Sequence, residues 1–357
     1  MPTVNKRILD STISHLVYLE RYKRGTVNKI LALLGKADDA LAEDITKRLM
    51  KIKERGYDTG AMTTKRMNDL ADAIKVKREE IYKILNEETA LELNSLSKHE
   101  TDFQAVAIEK AVSTAGVSIE LLRPSTLQLN SIVNSRPFQG RLMREWYSDL
   151  SKISAKRMND AIKIGIVNGQ TTDQIVRRIV GSRAARYQDG IMAMDRRNAE
   201  AVVRTAITHV TNHAAKVLND ANSDIIDGYQ WVSTLDGRTT PICQARDGKV
   251  YTGDSDPMPP AHWNCRSRIV PFLGSTSVKG TRASEIGQVP EDTTYETWLR
   301  KQPAERQDDI LGSRKGKLFR DGGVSLDRFV DNSGKVYTLK ELKVRDGAAW
   351  NHVFNND

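Results

Sequence analysis

Between Pro2 and Pro124 the chain contains no proline, and over that span apolar residues recur at three- and four-residue steps: Ile8, Ile13, Leu16, Val17 and Leu19, then Val27, Ile30, Leu31, Leu33 and Leu34. Proline removes an amide donor and clashes with the preceding turn, so its absence lets a helix run on. The spacing places the apolar side chains on one helical face. The expectation for residues 1–122 is therefore an extended helical N-terminal arm. Gly35 stands where a C-terminal glycine would stop the first helix. A second helix is expected over about Ala40–Arg55, then a turn through Gly56, Asp58 and Gly60. Thr63 or Thr64 would cap a third helix containing Met67, Leu70, Ile74, Ile81 and Leu85, and Ala90–Val112 reads as a further helical region. Acid and base alternate along the faces of this arm, which suits either a self-sufficient bundle or helices laid against another chain.

The prolines gather instead in Tyr229–Phe272, which holds five of the ten, together with both cysteines, Trp231, Trp263 and His262. Tyr229–Ser233 and Arg268–Phe272 read as strands, Asp236-Gly237 as a turn, and Asp247-Gly248 as a second turn of hairpin type. Pro257, Pro259 and Pro260 mark an extended connection, because proline cannot donate to a sheet ladder. Upstream, Pro124 marks a boundary and a helix is expected from about Arg141 to Val167. A short helix should follow Thr171 or Thr172 and stop at Gly181. The strongest helical stripe runs from Asp195 to Asn222 through Ala199, Val203, Ala206, Ile207, Val210, Ala214, Val217, Leu218 and Ala221. Downstream come a polar linker (Ser275–Gly280), short helices in Thr293–Gly312, a strand-like Lys335–Tyr337, and Thr338 with Glu341 at capping-box spacing. The division is a helical arm (1–122), a basic helical region (123–228), a strand and turn module carrying Cys and His (229–274), and a mixed extension (275–357). The fold class is α+β.

The net charge of +9 is unevenly placed. Residues 1–120 carry 20 basic and 19 acidic side chains, residues 121–275 carry 21 and 14, and residues 276–357 carry 14 and 13, so the middle holds most of the excess. Lys and Arg at that density attract a polyanion without reading sequence, by displacing counterions from phosphates. The candidates are Arg141, Arg144, Lys156, Arg157, Arg177, Arg178, Arg183, Arg186, Arg196 and Arg197. The alternative is a solvated helical surface. No run approaches the roughly 20 apolar residues of a membrane span. The start, MPTVNKRILDSTISHL, has no apolar core or small-residue cleavage site. The expectation is a protein made in a reducing cytoplasm with no membrane partner.

Asp236, Cys243, His262 and Cys265 are candidate metal ligands. Thiolate and imidazole are the ligand types zinc prefers, and a structural site uses four in a tetrahedron. The competing reading has the thiols filling apolar space, His262 bonding a carbonyl and Asp236 capping its turn. His209 and His213 stand four apart, but no glutamate follows the first, so the HExxH pattern is missing. There is also no paired acidic motif, nucleophile and base pattern, or glycine-rich phosphate loop, so no catalysis is expected. A metal-dependent hydrolase or nuclease is the alternative. A free DNA-binding regulator is a third reading, without zinc-finger or helix-turn-helix spacing to support it.

The order Arg204-Thr205 on a helix, then Trp231, Thr234, Asp236, Arg238-Thr239, Cys243, Asp247-Gly248 and Pro259-Pro260-x-His262-x-x-Cys265-Arg266 resembles the phage Mu F-like minor head protein family, also called phage head morphogenesis proteins. The resemblance covers about 195–272. Two positions depart from it. Many members have glutamate where this chain has Ala206, and many end Cys-Arg-Cys where this chain has Ser267. The resemblance implies a minor virion component in the head interior near the portal, made in the host cytoplasm. It would contact the portal protein, the major capsid protein or both, and would act in head morphogenesis and in DNA packaging or ejection, with non-specific contact to phage DNA. Arg204, Thr205, Trp231, Arg238, Thr239, Asp247, Gly248, Pro260 and Arg266 are then structural signature residues, and a bound metal would be structural zinc.

Overall fold

The periodicity of the proline-free segment resolves into two helices, α1 (Val4–Glu54) and α2 (Ala61–Ser113), of 51 and 53 residues. The computed structural model describes residues 4–54, 61–253, 255–274, 281–285, 287–290 and 292–354. Gly35 does not stop a helix, and the helices expected before and after it are one. The buried stripe explains the difference: it continues past the glycine through Leu41, Ile45, Leu49 and Ile52. A glycine inside a helix costs only about 1 kcal/mol relative to alanine, which that burial outweighs. The Ala90–Val112 region is likewise the second half of α2. The turn expected at Gly56, Asp58 and Gly60 lies outside the described residues, as does the linker at Ser275–Gly280.

The fold is α+β, mostly helical with a small antiparallel sheet. The chain divides into two compact units, one made of Glu20–Ser97 and Leu127–Val210, the other of Met1–Leu19, Lys98–Thr126 and Thr211–Asp357. Among the described residues no helix is long and apolar enough to cross a membrane.

The first of these units is helical. To segments of α1 and α2 it adds α3 (Thr126–Ser135), α4 (Met143–Val167), α5 (Thr172–Val180) and most of α6 (Ile191–Ala221). Its core joins Leu41, Ile45, Leu49, Leu70 and Ile74 to Met158, Ile162, Ile175 and Ile179. Gly165 lets α4 and α5 close: a Cβ there would stand 2.4 Å from Ile175. Helix α5 starts on a capping box in which the Thr171 hydroxyl accepts from Gln174 N (3.2 Å) and Gln174 Oε1 accepts from Thr171 N (2.8 Å). The wholly buried Arg78 donates to Asp38 (2.7 Å) and Asp195 (3.4 Å), and Ser154 donates to Asp195 (2.5 Å). Burial pushes the Asp38 carboxyl up to about 6 against the opposing pull of Arg78.

The other unit holds the sheet, ordered β2 (Val250–Tyr251), β1 (Gly228–Val232), β3 (Arg268–Phe272), antiparallel throughout, with Tyr229 opposite Tyr251 and Trp231 opposite Ile269. Asp247-Gly248 is not a hairpin turn. A short helix, α7 (Pro241–Arg246), intervenes between β1 and β2, begun by proline at its first turn, where the missing amide costs nothing. Gly248, at φ +79°, takes the chain out of it. The last turns of α6 position β3: Asn212, fully buried, accepts from Ile269 N (2.8 Å) and donates to Ser267 O (3.3 Å). Glu100 is buried against the β3 residue Arg268, with His15 at 2.9 Å and Gln104 at 3.0 Å.

The C-terminal part adds the hairpin β4 (Thr281–Ser284) and β5 (Gly287–Pro290), then α8 (Tyr295–Arg300), α9 (Ala304–Leu311), α10 (Ser313–Arg320), a 3₁₀ turn at Leu326–Phe329, α11 (Leu339–Arg345) and α12 (Gly347–Phe354). These close over Trp298, Leu299, Phe319, Phe329, Leu342 and Trp350. The Thr338 and Glu341 capping box opens α11. Lys335–Tyr337 makes no strand, only a single bridge from Val336 to Val330, because Gly334 at φ +92° turns the chain just before it.

Candidate functional site

Helix α7 presents Cys243, and the connection from β2 to β3 presents His262 and Cys265. Within that connection Asn264 adopts φ +58° and Cys265 N donates to His262 O (3.2 Å), a tight turn that brings both ends of the H-x-x-C segment to one side. Cys243 Sγ lies 3.8 Å from Cys265 Sγ and 3.3 Å from His262 Nε2. His262 Nδ1 is 2.8 Å from the Trp263 carbonyl oxygen, which can only accept, so Nδ1 carries the proton and Nε2 turns its lone pair toward the sulfurs.

This donor set fits zinc. With Zn–S near 2.3 Å and Zn–N near 2.05 Å, a tetrahedron places two sulfurs about 3.8 Å apart and a sulfur and a nitrogen about 3.6 Å apart. The three donor atoms lie within 4.8 Å of one another. Trp231, Ile242, Tyr251 and Ala261 wall the group with apolar surface. The hydrogen bond from the Cys243 thiol, together with His262, holds the Cys265 thiol below the ordinary range despite its burial.

Asp236 does not join the group. Arg266 donates to both of its carboxylate oxygens at 2.7 Å, the paired geometry in which guanidinium and carboxylate satisfy one another, and Arg238 N adds a bond at 3.0 Å. Burial opposes its charge, but these bonds prevail and hold its pKa below the ordinary value. Three protein donors therefore converge. Ser267, two residues after Cys265, has its hydroxyl 3.1 Å from that of Ser233.

The other signature residues act as fasteners. The fully buried Trp231 donates from Nε1 to Ser233 Oγ (2.9 Å) and carries the Arg246 guanidinium 5.2 Å from its ring centre. The Thr239 hydroxyl donates to Thr234 O. Asp247 accepts from Ser233 N (2.6 Å), Tyr295 N (2.7 Å) and the buried Arg282 (2.6 and 2.8 Å). Sequence reasoning does not reach Arg282, which stands 35 residues from Asp247 in a polar segment with no local signal for the pairing. Pro260 follows Pro259 through a cis bond. Arg204 and Thr205 belong to the helical unit, where Arg204 pairs with Glu200 (2.7 Å) and Thr205 donates to Ala201 O (2.7 Å). His209 is buried against Phe138, and burial, then Arg136, pushes it down to about 4.

The basic candidates divide into two groups. Arg141 pairs with Asp149, Arg144 donates to Asn134 O, Lys156 pairs with Asp160, Arg196 with Asp38, and Arg197 donates to Gln188 O. Arg157 is half-buried on α4. Arg177, Arg178, Arg183 and Arg186 are exposed and make no ion pair among the described residues.

Residues 156–270 match the family model of phage Mu protein F like proteins, a span that takes in every signature residue from Arg204 to Arg266. The match covers about a third of the chain and states what that segment is similar to. Neither the curated proteins nor the solved structures contain a significant match to the chain.

Proposed function

From the Mu F-like segment at residues 156–270 we propose that the chain is a structural minor head protein of a phage, placed in the head interior near the portal and acting in head morphogenesis and in DNA packaging or ejection. The observation that carries this reading is that the family match at residues 156–270 takes in the fasteners Trp231, the Asp236–Arg266 pair and Asp247, the last of which is held by Arg282 from just beyond the matched span. The portal protein or the major capsid protein is the partner, and phage DNA is contacted without sequence preference through exposed arginines. The chain catalyses no reaction in this reading. A hydrolytic metal site needs a positioned base beside it, and the carboxylate that could serve, Asp236, is committed to Arg266.

Cys243, His262 and Cys265 hold zinc as a structural ion in this proposal, joining α7 to the β2–β3 connection. Co-expression with the portal and major capsid proteins of the same phage, followed by affinity capture, tests the partner. Capture of neither would overturn the head assignment. A DNA-binding isotherm followed against salt tests the polyanion contact, and binding that does not weaken as salt rises would overturn that part.

A further inference from the structure

We propose that the loop Gly181–Gly190, between α5 and α6, is with the last turn of α5 a preorganised contact for the DNA backbone, in which Arg178 of that turn and Arg183 and Arg186 of the loop meet phosphates and Tyr187 lies against sugar or base. The proposal rests on the DNA contact proposed above and assigns it to one element.

The loop is closed at its base by backbone packing. A Cβ on Gly190 would stand 2.4 Å from Gly181 N and from Val180 C, and Gly181 itself has φ +105°. Asp189 fastens the two ends: Oδ1 accepts from Ser182 N and Oδ2 from the Ser182 hydroxyl, both at 2.7 Å. Inside, Tyr187 N donates to Ser182 O (2.8 Å), Arg186 N to Arg183 O (3.0 Å) and Gln188 N to Ala185 O (3.0 Å). This is a small loop packed on its own bonds. Two adjacent side-chain-bearing residues, Arg186 at φ +50° and Tyr187 at φ +60°, are held left-handed, a backbone that non-glycine residues adopt only where the surroundings enforce it.

That conformation holds out a particular surface. Tyr187 is 47% exposed, and Arg178, Arg183 and Arg186 are exposed without an ion pair among the described residues. Asp189, the one acid in the loop, is committed to Ser182 and held below the ordinary carboxylate range by those bonds. Elsewhere in the same unit Lys75, Lys152 and Lys163 share a cleft with Asp72 and Asp160, so their charge is locally offset. An acidic protein surface is the competing partner. A protein interface is centred on buried apolar anchors, and apart from Tyr187 this loop has only alanine, glycine and polar residues between its arginines. Small residues between guanidinium groups suit close approach to a regularly charged backbone, and a loop already ordered loses little entropy on binding.

The test is duplex-DNA binding by the full chain, measured by fluorescence anisotropy over a range of salt. Three forms are compared: the wild type, the triple variant Arg178→Ala, Arg183→Ala, Arg186→Ala, and a control of equal charge loss, Lys75→Ala, Lys152→Ala, Lys163→Ala. The loop variant should bind at least about tenfold more weakly and lose about 2 to 3 from the slope of log affinity against log salt, while the control keeps the wild-type slope within about 1. Asp189→Ala separates geometry from bulk charge. It makes the protein more basic yet releases the loop, and it should weaken binding; tighter binding would overturn preorganisation. Wild-type protein without salt-dependent binding defeats the DNA reading itself. Wild-type binding that the loop variant retains, or that loop and control variants lose equally, defeats only the assignment to this loop. A loop variant that binds DNA normally but no longer binds polyglutamate would give the loop to a protein partner and overturn the proposal.

Discussion

Glu100 is a fully buried carboxylate whose burial opposes its charge, yet Arg268, His15 and Gln104 together hold it down at about 2. The shift from its ordinary value of 4.5 corresponds to about 3 kcal/mol of stability at neutral pH. Because the folded pKa is depressed, that contribution is complete above about 4.5 and is lost as pH falls through about 2. Glu100→Gln strips the buried Arg268 of its charge partner and should cost about 3–5 kcal/mol in denaturant unfolding at neutral pH. The gap to wild type should narrow in acid, and a gap independent of pH would show that the carboxylate's charge is not what matters. Asp38 has the opposite sign. Its folded pKa is raised to about 6, so its contribution is fully present below about 3.8 and is lost as pH rises through about 6. Wild-type protein should therefore lose more melting temperature between about pH 5 and about pH 7 than Asp38→Asn does. At the candidate metal centre, elemental analysis should find about one zinc per wild-type chain, none in Cys265→Ser, and a full complement in folded Asp236→Asn. Zinc lost with Asp236 would return that carboxylate to the ligand set.

At the scale of elements, α1 makes its own prediction. Gly25 and Gly35 sit inside the helix with nothing within 4 Å of where a Cβ would stand, so Gly35→Ala should stabilise the protein by about 0.5–1 kcal/mol in thermal or chemical unfolding. A loss of stability would mean that the glycine relieves a constraint the helix hides. The same position shows where sequence reasoning stops. Local glycine chemistry suggested a terminus, while the residues that settle it, Leu41, Ile45 and Leu49, act through packing in the core. Helices α4, α5 and α6, strands β1 and β3 and the Thr338 box were legible, because their signals lie within a few residues: periodicity, a cap, alternation. Helix α7 was not, since six residues give no periodicity to detect. The convergence of Cys243 on His262 and Cys265 was half legible: spacing gave the H-x-x-C pair, whereas exclusion of Asp236 depends on where Arg266 points. The pairing of Asp247 with Arg282 spans 35 residues and has no local signature.

On the scale of the whole molecule, the middle of the chain carries the excess of positive charge, but half of the basic candidates there are already paired with acids or carbonyl oxygens. Net charge therefore overstates the surface that a polyanion would meet, and the exposed candidates without an ion pair among the described residues, Arg177, Arg178, Arg183 and Arg186, gather on and beside one short loop. The two units have different work under this reading: one carries the exposed candidate arginines Arg177, Arg178, Arg183 and Arg186, the other the candidate metal ligands and most of the family signature. Strand β3 lies at the edge of its sheet, where free amides and carbonyls would invite a strand from another chain. Asn212 already occupies Ile269 N and Ser267 O, and Pro271 offers no amide at all. That margin is closed to β-augmentation from within its own fold, so a second copy meeting it at high concentration is denied a template for edge-to-edge aggregation.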